Sequence, residues 1–354
     1  MIKGKITLKT ISEALELSKT TVSLVLKGDG DRYRISKATQ GRILGYAEAV
    51  GFEPDFLASA LVTKKTLTIG LIFPDVHELF MSEMIKGIEL VLYPAGYSIL
   101  LSTSGFNTEF ELRNIRQMLR RKVDGLIIVP YIPIADKHYK HGYLREIKKA
   151  ACPVIFVDRI PPENDDLNWI IQNDHDAAFE AVRLLHDRGC RNIRCLSFDL
   201  AASSVTDRIR GFNDGMKACG LASDNESLIL LEKQDPGSED LHLALMAMAE
   251  GKKPVDGLLV TTGGLAHKVK YLISKSSLDM QDIQIAKFGK DPDYFDTGMI
   301  QIIQPNAEMG KRAAQTILDF ISDPPEEPVH LEINSLTVEG IPKVVSEEGR
   351  NEKK

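Results

Sequence analysis

Beginning at Thr66, short apolar runs and amphipathic stretches alternate along the chain, and few folds accept that rhythm. The apolar runs are TIGLIF (68–73), YSILLS (97–102), DGLIIV (124–129) and PVIFV (153–157). Between them lie segments such as Met81–Leu92 and Glu109–Arg120, whose apolar residues recur at helical spacing. Strands that are apolar on both sides of the pleat must be covered on both faces. The alternation therefore predicts parallel, doubly wound sheets with helices on each side. After Asp158 the pattern restarts with WII (169–171), NIRCLSF (192–198), SLILL (227–231), VDGLLV (255–260) and IQIAKF (283–288), which predicts a second α/β lobe of similar build. A last run, MIQII (299–303), and a helix near Ala307–Ile321 are expected to return to the first lobe.

The totals narrow the class. At 354 residues the chain is too long for one ordinary core and suits two or three folding units. Its 43% hydrophobic and 27% charged residues are ordinary globular composition. No apolar run approaches the roughly 20 residues that cross a bilayer. The start, MIKGKITLKT, leads into no apolar core of a secretory signal, so a cytoplasmic location without membrane partners is expected. The four cysteines, Cys152, Cys190, Cys195 and Cys219, lack paired spacing and read as thiols outside any disulfide or zinc framework. The net charge of −6 argues against a nucleic-acid partner only when taken over the whole chain. Residues 1–65 hold eleven Lys/Arg against seven Asp/Glu, a net of +4 that leaves −10 for the rest. A basic head on an acidic body suits a protein that meets DNA at one end.

That head reads as short helices. Leu8, Ile11, Ala14 and Leu15 mark one helix face. Ser18 can cap a second helix that buries Val22, Val25 and Leu26 and stops at Gly28. After the polar loop GDGDRYR, Ser36 caps a third helix with Ile43, Leu44, Ala47 and Val50, ended by Gly51. The tight turn near Glu16-Leu17 makes the first pair a helix-turn-helix, whose second helix enters the major groove of DNA with its N-terminal residues on base edges. The outward positions are then Lys19, Thr20, Ser23 and Leu24; Lys19 can donate to guanine or phosphate, and Thr20 to a base or the backbone.

The residues Thr7-Leu8, Ala14, Ser18, Thr21, Val22, Ser23, Val25, Leu26 and Gly28 resemble the head of the lactose-repressor/galactose-repressor (LacI/GalR) family. Ile35-Ser36, Thr39, Gly51-Phe52, Pro54, Ala58 and Leu61 extend the match. It continues through Ile69-Gly70-Leu71, Pro74-Asp75, Gly87-Ile88, Val157-Asp158-Arg159, Arg208, Gly211-Phe212 and Gln304-Pro305, so it covers nearly the whole chain. The resemblance implies an all-α helix-turn-helix head in residues 1–53, a hinge helix and linker in 54–65, and an α/β periplasmic-binding-protein type I body in 66–340. Its lobes would be about 66–160 with 292–325, and about 161–291 with 326–340; residues 341–354 form a charged tail. It also implies a homodimer on a pseudo-palindromic operator, regulated by a small-molecule effector, with repression as the family's common mode.

By that resemblance Lys19, Thr20 and Leu24 hold the main base-reading positions, with Thr7, Ser18, Thr21, Ser23, Ser36 and Thr39 nearby. The family usually has arginine where this chain has Leu24; leucine can only pack on apolar surface such as a thymine methyl. The loop 28–34 is longer than usual and can add backbone contacts through Arg32 and Arg34. Ala58 belongs to the hinge helix, and Leu61 is its wedge into a minor-groove base step.

In the body, a cleft is expected at the carboxyl ends of the strands. Asp75 and Phe80 follow the first strand, Asp158 and Arg159 end the fourth, and Arg208 lies early in the helix after NIRCLSF. Arg208 matches the family's ligand-contacting arginine. Asp75 can instead cap a helix, and Arg159 can instead bridge the lobes as an ion pair. Carboxylates accept from hydroxyls and arginine forks onto oxyanions, so this set suits a sugar, a sugar phosphate or another polar metabolite. Thr261-Thr262-Gly263-Gly264 stands where relatives carry Asn-Asp, and Lys287-Phe288-Gly289-Lys290, then Asp291, where they carry Gly-Phe-Asp-Asp. An Asp-Asn-x-x-Gly run is replaced by Asn173-Asp174-His175-Asp176-Ala177. These changes, with Lys290 gained, shift the pocket away from a neutral-sugar pattern; an anionic ligand, or none, remains open. Thr262, Lys290 and Asp291 complete the effector candidates.

Other chemistries find little support. Asp174-His175-Asp176 reads as a first helical turn matched to the helix dipole, with no metal expected. Thr262-Gly263-Gly264 is at most a loop contact with an anionic effector. No cofactor is expected, because neither a P-loop nor a GxGxxG pattern occurs, and no GxSxG or nucleophile–base–acid set points to catalysis. A solute-binding protein of the same body fold would need a signal peptide and have no use for the basic head. An enzyme on this scaffold should show turnover and a catalytic constellation, which the sequence does not suggest.

Overall fold

The structure is a computed structural model describing residues 6–52, 60, 63–76, 79–131, 137–161, 166–199, 202–224, 226–232, 238–251, 254–276, 278, 280–291 and 297–338. The chain divides into two compact units, Met1–Thr66 and Leu67–Lys354. Ala58, Leu61 and the tail 341–354 lie outside the described residues.

The first unit holds α1 (Leu8–Leu15), α2 (Lys19–Leu26) and α3 (Lys37–Ala49). Each begins at a hydroxyl cap: Thr7 accepts from the Thr10 N–H, Ser18 from Thr21 and Ser36 from Thr39. Glu16 turns the chain between α1 and α2 in the left-handed region (φ 55°). Ile11, Val22, Val25, Ile43 and Ala47 form the small core, with Leu8, Leu15 and Leu26 packed at its edge. Two expected core positions are corrected: Ala14 is exposed, and so is Leu44. Three short helices around so small a centre bury one narrow stripe each, and these positions fall outside it.

The second unit carries two sheets built to one plan. In the first, β1 (Thr68–Phe73), β2 (Ser98–Thr103), β3 (Gly125–Ile128), β4 (Val154–Val157), β5 (Asn168–Gln172) and β11 (His330–Ile333) lie in the order β11-β5-β4-β3-β1-β2. In the second, β6 (Ile193–Phe198), β7 (Leu228–Leu231), β8 (Gly257–Val260), β9 (Gln284–Phe288), β10 (Ile300–Ile303) and β12 (Leu336–Val338) follow β12-β10-β9-β8-β6-β7. Among the described residues every strand pairing is parallel except β10 with β12.

Helices cover both faces of each sheet. In lobe 1, α4 (Leu79–Leu92) and α11 (Asn306–Ser322) bury Met84, Ile88, Met309 and Ile317 on one face. On the other face α5 (Thr108–Arg120) and α6 (Lys137–Lys148) contribute Ile115, Met118, Tyr143 and Ile147. In lobe 2, α7 (Asp174–Asp187) and α8 (Ser203–Ala218) cover one face, and α9 (Ser238–Ala249) and α10 (Gly263–Lys275) the other. In both lobes one helix pair crosses at glycine. A Cβ on Gly87 would lie 2.0 Å from the Ala307 carbonyl oxygen, and one on Gly211 would lie 2.1 Å from that of His175.

The topology corrects the expected lobe limits. The run 169–171, expected to open lobe 2, is β5 and pairs with β4 in sheet 1; the run 299–303, expected in lobe 1, is β10 and pairs with β9 in sheet 2. The chain thus changes lobe between Gln172 and Asp174, between Ile303 and Asn306, and between Ile333 and Leu336. Apolar strands of equal length carry no mark of which sheet they join; the closing of each sheet on its neighbours decides it.

Candidate functional site

In an open parallel sheet, loops leave in opposite directions where the strand order reverses, opening a crevice at the carboxyl ends. That reversal lies at β1 in lobe 1 and at β6 in lobe 2. The lobes meet past β4, two strands from β1: the Ile160 N–H donates to Ser203 Oγ at the start of α8 at 2.9 Å. The first and third crossings are also tied, by the Asn173 N–H to the Ile333 carbonyl at 2.9 Å and by Ser335 Oγ to Gln172 Oε1 at 3.1 Å.

Arg208 lies at this junction with only 6% of its surface exposed. Its Nε donates to Asp174 Oδ1 at 2.6 Å, its Nη1 to the Thr261 carbonyl at 2.6 Å, and its guanidinium stacks 4.0 Å from the centre of the Phe288 ring. Gln172 Nε2 also donates to Asp174. Burial raises the Asp174 pKa to about 7; Arg208 opposes this and the nearby Asp158 reinforces it.

Asp158 and Arg159 pair with each other at the end of β4, Arg159 Nε to Asp158 Oδ2 at 3.2 Å, while Arg159 Nη1 donates to the Pro130 carbonyl at 3.4 Å. Among the described residues the pair belongs to lobe 1 and does not bridge the lobes. Asp158 is left-handed (φ 69°), with the Arg159 N–H turning back to the Val157 carbonyl at 2.8 Å. Such backbone strain in a side chain bearing a Cβ costs about 1–3 kcal/mol and clusters at working sites. Asp75, half-buried, accepts from the Val76 N–H, and Phe80 packs against the lobe 1 core. Thr262 stands at the N-cap of α10, half-buried and without a side-chain capping bond.

Asp291 is placed differently. It is buried inside lobe 2, where Lys287 Nζ (2.8 Å), His267 Nε2 (2.7 Å) and Thr297 Oγ1 (2.5 Å) surround its carboxylate. Burial opposes ionisation, but Lys287 and Thr297, then His267, hold its pKa below the usual value. These bonds brace the β9–α10 corner, and Lys290 beside it is half-buried. The acidic run at the start of α7 also separates: Asp174 turns to Arg208, whereas His175 bridges Asp176 and Asp214 at 2.9 Å each. Sequence reasoning missed Asp174, Thr261 and Phe288 as the partners of Arg208, and Gln172 as a second partner of Asp174. A carboxylate directly after an apolar strand was the available signal.

On the head, Lys19 and Thr20 are exposed at the start of α2, and Ser23 and Leu24 are half-buried one turn on. The loop after α2 is an ordered turn: the Ile35 N–H closes on the Gly30 carbonyl at 2.9 Å, and Asp31 binds Lys37 at 2.7 Å and Gln40 at 2.9 Å. Those partners hold the Asp31 carboxyl below its ordinary pKa. The turn leaves Arg32, Tyr33 and Arg34 exposed, with the Arg32 guanidinium 5.7 Å from the Tyr33 ring centre.

Comparison with known proteins gives a consistent picture. The family described as periplasmic binding proteins and sugar binding domain of LacI family matches residues 66–277. The chain is 29% identical over 215 residues to the fructose operon regulatory protein of Vibrio cholerae, covering 61% of this chain and 64% of that one, just under two-thirds of its length. It is 26% identical over 326 residues to the HTH-type transcriptional repressor PurR of Vibrio vulnificus, covering 90% of this chain and 92% of the relative. Its fold is similar to the lac repressor dimer bound to operator and the anti-inducer ONPF, with a TM-score of 0.78 at 19% identity over 95% of this chain and 98% of that one. These relatives are named as regulators and repressors, not enzymes. No helix among the described residues is long and apolar enough to cross a membrane.

Proposed function

Because the chain belongs to the LacI family of transcription regulators, whose sugar-binding type of domain spans residues 66–277, we propose that it is a sequence-specific repressor. It binds a pseudo-palindromic operator as a homodimer and responds to a small molecule in the cleft between its lobes. The observation that carries this reading is the union, in one chain, of a Ser18-capped second helix presenting Lys19 and Thr20 with a two-lobed body whose strand ends converge on Arg208. Lys19, Thr20, Ser23 and Leu24 read base edges, while Thr7, Ser18, Thr21, Ser36, Thr39, Arg32 and Arg34 meet phosphates. Ala58 and Leu61 act in the hinge. Asp75, Phe80, Asp158, Arg159, Arg208, Thr262, Lys290 and Asp291 surround the effector, Asp291 through its brace on the loop. A second copy of the chain suits the apolar groove of lobe 1, where Leu90 and Tyr93 are exposed beside Tyr97 and Ile99.

Selection of binding sites from genomic DNA by the full chain, with and without a metabolite pool, tests the proposal. Enrichment of two related half-sites supports it, and the half-site sequence reveals what Leu24 contacts. Failure to enrich any site at low salt, where phosphate contacts are strongest, overturns it. On the selected site, Leu61→Ala is expected to weaken binding by at least tenfold and to abolish bending in a phasing assay, because wedging costs a few kcal/mol that the bent complex recovers. Unchanged bending would remove Leu61 from the wedge role.

A further inference from the structure

We propose that Asp174 sets the charge specificity of the cleft: it is an internal anion that occupies Arg208 and so excludes effectors that present an oxyanion there. The inference rests on the cleft being the effector site. An arginine that meets a ligand phosphate or carboxylate offers two parallel N–H donors to it. Arg208 has already committed two of its nitrogens, Nε to Asp174 and Nη1 to the Thr261 carbonyl, and its flat face to Phe288. The bond to Asp174 closes the edge of the guanidinium where Nε and Nη2 would grip an oxyanion together, and Nη2 is the nitrogen left without a hydrogen bond among the described residues.

The pair is also deeply placed, with the side chains of Arg208 and Asp174 only 7% and 2% exposed. An incoming anion would have to expel a carboxylate that has no water to retreat into, and a buried charge stripped of its partner is strongly destabilising. Two other features act in the same sense. Asp158 lies close enough to raise the Asp174 pKa, so a further anion would meet two carboxylates at once. The other buried cations of this lobe are also taken, Lys287 by Asp291 and the Gly289 carbonyl, and Arg194 by Asp224 and Glu226. The inverted order Asn173-Asp174, in place of the Asp-Asn expected from the resemblance, puts a carboxylate at a position of α7 whose side chain meets Arg208.

Equilibrium dialysis of the full chain with labelled inorganic sulfate at pH 8 is the direct test, since sulfate is fully ionised and small enough to enter unaided. The wild-type chain is expected to bind none at 10 mM or less in the cleft. Asp174→Asn, nearly isosteric but uncharged, is expected to gain binding at least tenfold, lost again in the double variant with Arg208→Met. Asp174→Ala serves the same purpose if the asparagine variant does not fold. Saturable sulfate binding by the wild type that Arg208→Met abolishes would overturn the inference. So would a folded Asp174 variant that binds no more than wild type. Operator selection by the same wild-type preparation is unaffected by either outcome, so failure here is distinguishable from failure of the regulator reading.

Discussion

The two lobes share a strand order, a glycine-seated helix crossing and a three-layer build, yet their strand ends are furnished in opposite ways. Lobe 1 ends in aromatic and backbone groups, with Phe106 and Tyr131 edge to face at 5.9 Å and one ion pair, Asp158–Arg159, between sequence neighbours. Lobe 2 ends in two buried ion pairs, Arg208–Asp174 made between two helices and Lys287–Asp291 made four residues apart, the second tied over distance by His267. The difference teaches that a repeated topology fixes where a cleft opens but leaves its electrostatics free. A pair between neighbours is there before folding, whereas a pair between α7 and α8 exists only if both helices pack correctly, and it ties the chemistry of the cleft to the stability of the lobe.

That contrast can be broken most decisively at Arg208. Arg208→Met should cost about 3 kcal/mol at pH 8, where it strands the Asp174 carboxylate. Asp174 holds its proton to about pH 7 in the folded chain, while the unfolded chain releases it near 3.8. Its contribution to stability is therefore full below about pH 4 and lost as pH rises through 7. The penalty of Arg208→Met should accordingly shrink at pH 5, and urea titrations giving equal penalties at both pH values would refute the assigned proton. Asp291 has the opposite sign: its depressed pKa stabilises above the ordinary value near 3.8 and is lost as acid protonates it.

The glycine crossings test the shared part of the comparison. Gly87→Ala and Gly211→Ala should each cost about 2 kcal/mol, because the new methyl meets a backbone carbonyl that cannot turn aside. Thermal unfolding should show similar penalties that add in the double variant; a large inequality would mean that the lobes are not equivalent scaffolds. The smallest effect is expected at Arg159→Met, about 1 kcal/mol, since its Nε makes no aligned hydrogen bond and Asp158 keeps the Ile170 backbone contact. A loss as large as that of Arg208→Met would erase the proposed difference between neighbour and long-range pairs.

Much of the architecture was legible because it is written in periodicity. Runs such as TIGLIF and IQIAKF were recognisable strands because both faces are buried, and β1 spans the residues expected. The hydroxyls Thr7, Ser18 and Ser36 announced their helices because a cap needs only a local oxygen. The strands β11 and β12 escaped notice, for HLEI and LTV are short and half-polar. The site was legible in its cations and hidden in their partners. Arg208 stands out in a motif, but Asp174 looks like any acidic residue in a first helical turn until α8 is laid against it.

By itself, the sequence determined the local and periodic facts: a basic three-helix head, two wound sheets and the positions of their strand ends. Those follow from side-chain spacing and backbone hydrogen bonding, which act over a few residues. Only the tertiary structure decided which lobe claims β5, β10, β11 and β12, and which carboxylate neutralises Arg208. Both are settled by packing between residues far apart in the chain, where burial makes each charge depend on the one partner that folding brings within reach.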